Sequence, residues 1–124
     1  MAIVRTDVPM TSALCGEIIQ QLVAAYPTMR TEVLTTTAFG RPVQTLSIGD
    51  GPRKVLFSAS HHANEWITTP VILRFMEELA EAARTGGTIY GPYAQTEHLL
   101  RILRARVVIW QNSAQNMGRW AAEI

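Results

Sequence analysis

One cysteine, one lysine and no long apolar run set the first limits on this 124-residue chain. A lone Cys15 cannot build an intrachain disulfide framework, so a disulfide-stapled scaffold is excluded and a reducing compartment is allowed. It falls among the apolar residues of a predicted helix, where a thiol is ordinarily buried and inert. The uninterrupted apolar stretches are a few residues each, far below the ~18 needed to span a bilayer. Met1 to Met10 lacks the basic cluster and apolar stretch of a signal peptide. The expectation is therefore no membrane partner and a cytoplasmic location. Charge of one sign is lacking as well, since 11 basic and 10 acidic residues leave a net charge of +1. Every basic residue except Lys54 is Arg, and along the chain they are scattered, without a nucleic-acid footprint. What is abundant is apolar surface: 48% hydrophobic residues argue for a folded core, and the length suits a single domain over residues 1–124.

The core elements follow from periodicity. Ser12 is placed to cap a helix in which Leu14, Ile18, Ile19, Leu22, Val23 and Tyr26 recur at the spacing of one buried face, and Pro27 ends it. Glu32–Ala38 and Val43–Ile48 read as two strands joined through Phe39-Gly40-Arg41-Pro42. Gly49-Asp50-Gly51-Pro52 is a dense turn signal. Val55–Ala59 then reads as a strand covered on both faces. A second helix is predicted over Glu65 to Arg84, with Pro70 in its first turn. Ile72, Phe75, Met76, Leu79 and Ala83 form its inner face, and Glu77, Glu78 and Glu81 fall outward. Thr96 caps a short helix with Leu99, Leu100, Ile102 and Leu103 inside, and Val107–Ile109 is a further buried strand. The order of helix, hairpin, strand, helix, helix, strand is an α/β layer pattern. Residues 111–124 show no period.

The chemistry concentrates where the apolar strand ends and the second helix begins, at Ser58-Ala59-Ser60-His61-His62-Ala63-Asn64-Glu65-Trp66. His62 and Glu65 are three positions apart, a spacing that turns both side chains to one side at a helix start, so imidazole and carboxylate can reach one cation. Zinc accepts both ligand types at about 2.0–2.2 Å. The pair alone is a weak signal, because a His and a Glu three apart are common.

Gly40-Arg41-Pro42-Val43, then Leu46-Ser47-Ile48-Gly49, the apolar strand, and His62-Ala63-Asn64-Glu65-Trp66-Ile67-Thr68 together resemble the N-terminal part of the zinc carboxypeptidase family. The likeness spans residues 26–109. The form His61-His62-Ala63-Asn64-Glu65-Trp66 is similar to the family's bacterial branch of γ-D-glutamyl-L-diamino acid peptidases, which cut peptidoglycan peptides. The resemblance implies a three-layer α/β/α fold with a mixed sheet and a mononuclear zinc site of two His and one Glu. His62 and Glu65 would be its first two ligands, and Asn64 a substrate-facing residue. In the family the metal polarises the scissile carbonyl of a peptide substrate and lowers the pKa of its bound water, and a separate Glu takes the proton.

The departures set further expectations. The family's third ligand, its base Glu and its carboxylate-gripping Arg and Tyr belong to segments beyond Ile124, so no catalytic base is assigned. Asn64 stands where animal-type carboxypeptidases carry Arg. Asn112-Ser113-Ala114-Gln115 replaces the usual N-P-D-G, and residues 111–124 stay unassigned. The expectation is a truncated zinc carboxypeptidase-like domain with an incomplete zinc site, inactive alone and prone to self-association through an uncovered sheet edge. Two alternatives stand beside it: a non-catalytic binding or accessory domain keeping the first half of the fold, and the related amidohydrolase branch, which Ala63 and Trp66 disfavour. His61 reads as solvated or as lying behind the ligands, and His98 as solvated, rather than ligating; Trp66 reads as packing, and Glu77, Glu78, Glu81 and Glu97 as surface residues rather than a base.

Overall fold

A computed structural model of the chain describes residues 2–38, 40–61, 65–89 and 95–110. Helix α1 (Ser12–Ala25) is followed by strands β1 (Arg30–Thr36), β2 (Pro42–Ile48) and β3 (Arg53–Ala59), helices α2 (Thr68–Thr85) and α3 (Thr96–Ile102), and strand β4 (Leu103–Ile109). The α/β order expected from the sequence is present. Thr11 rather than Ser12 caps α1, its hydroxyl accepting the Leu14 N–H at 3.1 Å. Thr96 is the first residue of α3 rather than its cap, and is buried. Ile102, expected inside, is exposed. Strand β4 begins four residues before the Val107–Ile109 run, because pairing with β3 from Arg53↔Leu103 onward extends it through alternating Arg and Ala.

The sheet is mixed, in the order β1-β2-β4-β3. The β1–β2 hairpin is antiparallel, β4 is antiparallel to β2, and β3 is parallel to β4. One face carries Leu46, Ile48, Ala105, Val107 and Ile109, which join Cys15, Ile18, Ile19 and Leu22 of α1 and Leu73, Met76 and Ala80 of α2 in one core. Phe57 meets Phe75 edge-on at 5.8 Å, fixing α2 over β3. Burial pushes the Cys15 thiol up to about 12, so it is an inert core group. Among the described residues both long helices lie on this one face. The sequence predicts β3 to be covered on both sides, yet Leu56, on the face opposite α1 and α2, is 68% exposed, and β4 is the only described strand paired with β3.

Two close contacts position the ends of the sheet. The Gly49-Asp50-Gly51 turn presses against the α3–β4 junction: the Asp50 N–H donates to the Leu100 carbonyl at 3.2 Å and the Gly51 N–H to that of Leu103 at 3.3 Å. A Cβ at Gly51 would overlap the Ile102 backbone, and Gly49 holds φ +88°, so both positions require glycine. Glu77 corrects the sequence reading. It faces inward and is buried, accepting the backbone N–H groups of Ile3 and Val4 and a donor from Arg74. The aperiodic N-terminal segment covers this side of α2, which helical periodicity alone cannot reveal. Among the described residues, no helix is long and apolar enough to cross a membrane.

Candidate functional site

The strand-to-helix corner after β3 is built from small hydroxyl residues. Ala59 is buried, and its carbonyl accepts the Trp110 N–H at 2.9 Å, so β3 stays tied to β4 up to its last residue. The next residue, Ser60, is buried and has φ +56°, the only described non-glycine residue in the left-handed region. Such backbone costs energy and persists where surroundings hold it in place. Here the Ser60 N–H donates to Thr68 Oγ1 at 2.8 Å, and the Ser60 hydroxyl pairs with that of Thr69 and approaches the Glu65 carbonyl at 3.3 Å. Thr68 closes the ring by donating to the same carbonyl at 2.9 Å. The strand end, the Glu65 backbone and the first turn of α2 are thereby locked together, although three residues of chain intervene between His61 and Glu65.

Glu65 itself is exposed at the entry to α2. His62 and Asn64 lie outside the described residues. Trp66 packs against the core, as its reading as a packing residue requires. His61 turns back over the ends of β3 and β4: its Nε2 is 2.8 Å from Ser58 Oγ, and its ring stacks on Trp110 at 6.1 Å and 27°. Neither Ser58 nor Trp110 carries a sequence signal for this role, since the contacts arise from the parallel β3–β4 pairing that sets Ser58 and Val108 side by side.

The remaining candidates do not converge on this corner. His98 lies in α3, which feeds the opposite end of β4, so a seven-residue strand of about 20 Å separates it from Ser60. Glu78 pairs with Arg74 and Glu97 with Arg101 on exposed helix faces. Glu81 is engaged by Arg84 and by the Tyr26 hydroxyl at 2.8 Å, which hold its carboxyl down at about 2. A cavity of about 460 Å³ lined by Tyr26, Arg30, Ile48, Leu100 and Arg101 also sits at the far end of the sheet. Among the described residues, no three His, Cys, Asp or Glu side chains come together to hold a metal ion. The described residues thus supply one donor of the expected type, Glu65, and do not assemble a zinc site.

Residues 16–112 match the model of the zinc carboxypeptidase peptidases. The chain belongs to the zinc carboxypeptidase family. Among curated proteins, this family member is 29% identical over 130 aligned positions to gamma-D-glutamyl-L-diamino acid endopeptidase 1 of Lysinibacillus sphaericus, covering 86% of this chain and 33% of that protein. It is 31% identical over 75 positions to the uncharacterized protein YqgT of Bacillus subtilis (strain 168), covering 59% of this chain and 20% of the relative. The chain therefore spans a third or less of these relatives' length. Its fold matches that of thrombin activatable fibrinolysis inhibitor with a TM-score of 0.66 at 14% identity, over 87% of this chain and 27% of the other. A putative carboxypeptidase from Burkholderia mallei ATCC 23344 matches with a TM-score of 0.58 at 22% identity, over 81% and 25%. The α/β carboxypeptidase fold expected from the motif order is thus shown in part of its extent.

Proposed function

We propose that this zinc carboxypeptidase-family chain serves a metallopeptidase that hydrolyses peptidoglycan-derived peptides. In this reading His62 and Glu65 are two of the protein ligands to zinc, and Asn64 faces the peptide. The observation that carries it is the location of the His62–Glu65 pair within the family match, at a corner whose Glu65 backbone is locked to both β3 and α2. The substrate class rests on the named activity of the Lysinibacillus sphaericus relative and on the His61–Trp66 sequence. With two family ligands and no assigned base, the chain by itself binds zinc weakly and does not turn over substrate.

Zinc content after equilibrium dialysis tests the ligand assignment. Wild type retains zinc above the level of His62→Ala and Glu65→Ala, and equal retention in all three removes the assignment. Incubation with a γ-D-glutamyl-diaminopimelate peptide tests the second half, and turnover by the chain alone overturns its inactivity. A folded chain indifferent to both zinc and chelator favours the non-catalytic accessory reading.

A further inference from the structure

We propose that Thr68 is a positioning residue: its hydroxyl fixes the backbone of Glu65 and so sets where the Glu65 carboxylate is presented. The inference rests on the reading of Glu65 as a zinc ligand. A threonine at the start of a helix ordinarily turns its oxygen onto that helix's own N–H groups. Helix α2 has no capping side chain, and Thr68 Oγ1 reaches backward out of it instead. It accepts the Ser60 N–H at 2.8 Å, eight residues earlier and across the strand-to-helix corner. It donates to the Glu65 carbonyl at 2.9 Å. One hydroxyl thus uses its single donor and an acceptor to tie two parts of the bend together.

The consequence for Glu65 follows from the rigidity of the peptide unit. The Glu65 carbonyl belongs to the planar group shared with Trp66, so fixing its oxygen orients the backbone at the Glu65 Cα. Thr68 donates to that oxygen, and the Ser60 hydroxyl approaches it at 3.3 Å. Trp66 packs against the core, and its own carbonyl accepts the Thr69 N–H at 3.1 Å, which fixes the following peptide. Ser60 is buried in the left-handed region, and Thr69, which its hydroxyl meets, is buried as well. Thr68 is exposed, so it is the member of this ring that can be altered without opening the core. A donor atom carried on a fixed backbone loses less freedom on binding than one carried on a loose bend, which gives groups behind metal ligands their leverage on affinity.

The test compares Thr68→Val, which keeps the shape and loses the hydroxyl, with Thr68→Ser, which keeps the hydroxyl. Zinc affinity of the full 124-residue chain is measured by equilibrium dialysis, and hydrogen exchange of the Ser60 amide is measured without metal. Thr68→Val is expected to weaken zinc affinity about tenfold and to speed Ser60 exchange about tenfold, and Thr68→Ser stays near wild type in both. Tyr26→Phe loses the Glu81 hydrogen bond about 20 Å away along α2, so it controls for general loss of stability and leaves zinc affinity unchanged. Wild-type affinity in Thr68→Val, no recovery in Thr68→Ser, or equal weakening in Tyr26→Phe would overturn the proposal and leave Thr68 a purely structural contact. Failure of the ligand reading looks different, since zinc retention is then the same in wild type and His62→Ala. Ser60 exchange decides in that event. A faster rate in Thr68→Val, restored by serine, supports the hold on the Glu65 backbone, and an unchanged rate overturns it.

Discussion

Glu77 Oε1 accepts the backbone N–H of Val4 at 3.1 Å, joining positions 73 residues apart in a buried setting. Its other oxygen takes the Ile3 N–H at 2.6 Å, and Arg74 supplies a cation at 3.2 Å. A buried carboxylate is stable only when paired and hydrogen-bonded, and this one satisfies the backbone donors of Ile3 and Val4, which lie outside the helices and strands. Glu77→Ala is expected to lower stability by about 3 kcal/mol, the combined worth of two charge-assisted bonds. Glu77→Gln, which keeps one acceptor, costs about half as much. Urea midpoints give the magnitudes. Faster amide exchange at Ile3 and Val4 identifies the cause, and unchanged exchange there would count against it.

Ser60 is held with φ +56° by the hydroxyls of Thr68 and Thr69. Two effects separate by substitution. Ser60→Ala keeps the unfavourable backbone and leaves the buried Thr69 hydroxyl with one partner fewer, at an expected cost of about 2 kcal/mol. Ser60→Gly loses the same hydrogen bonds but relieves the left-handed strain, so it is expected to be the milder variant by about 1 kcal/mol. Thermal melts of the two proteins decide the order. A glycine variant less stable than the alanine one would show that backbone strain is not the dominant cost.

Gly51 stands where any side chain would overlap the Ile102 backbone, and its N–H is bonded to Leu103. Gly51→Ala must therefore push the start of β3 away from the α3–β4 junction. An overpacking cost of about 3 kcal/mol is expected, compared with little effect from alanine at Gly16, whose added Cβ meets nothing closer than 4.0 Å. Chemical denaturation of the pair measures the contrast, and equal destabilisation would remove the steric argument.

The elements with strong local patterns were legible in the sequence. The apolar stripe of α1, the β1–β2 hairpin and the inner face of α2 each bury residues chosen by periodicity, as Ile18, Leu46 and Met76 show. What escaped depends on contacts distant in sequence. Glu77 lies on an expected outer face and is buried because residues before α1 fold over it. Lys54 stands beside Arg104 only through β3–β4 register. Leu56 resembles a core residue in a nearly continuous apolar run, yet it faces the side without described helices. At the candidate site, Glu65 was legible from a motif, and His62 and Asn64 lie outside the described residues. The corner that holds Glu65 was not legible, because a serine in the left-handed region carries no sequence signature.

The Glu81 carboxylate couples the helix layer to pH. Two donors from Arg84 and the Tyr26 hydroxyl hold it at about 2 in the folded chain, against an ordinary value of 4.5. A depressed folded pKa contributes stability that is present above the unfolded value and is lost as pH falls through the folded one. The chain is therefore expected to lose part of its stability between pH 4.5 and about 2, as the unfolded state takes up the proton first. Tyr26 acts at the other limit. Burial and the Glu81 contact raise its hydroxyl to about 12 from 10.0, so its contribution is present below pH 10 and lost as pH rises toward 12. Urea midpoints across pH for wild type, Glu81→Gln and Tyr26→Phe test both arms. Glu81→Gln should flatten the acid limb and Tyr26→Phe the alkaline one. An acid limb of the same slope in Glu81→Gln would place the titrating carboxylate elsewhere.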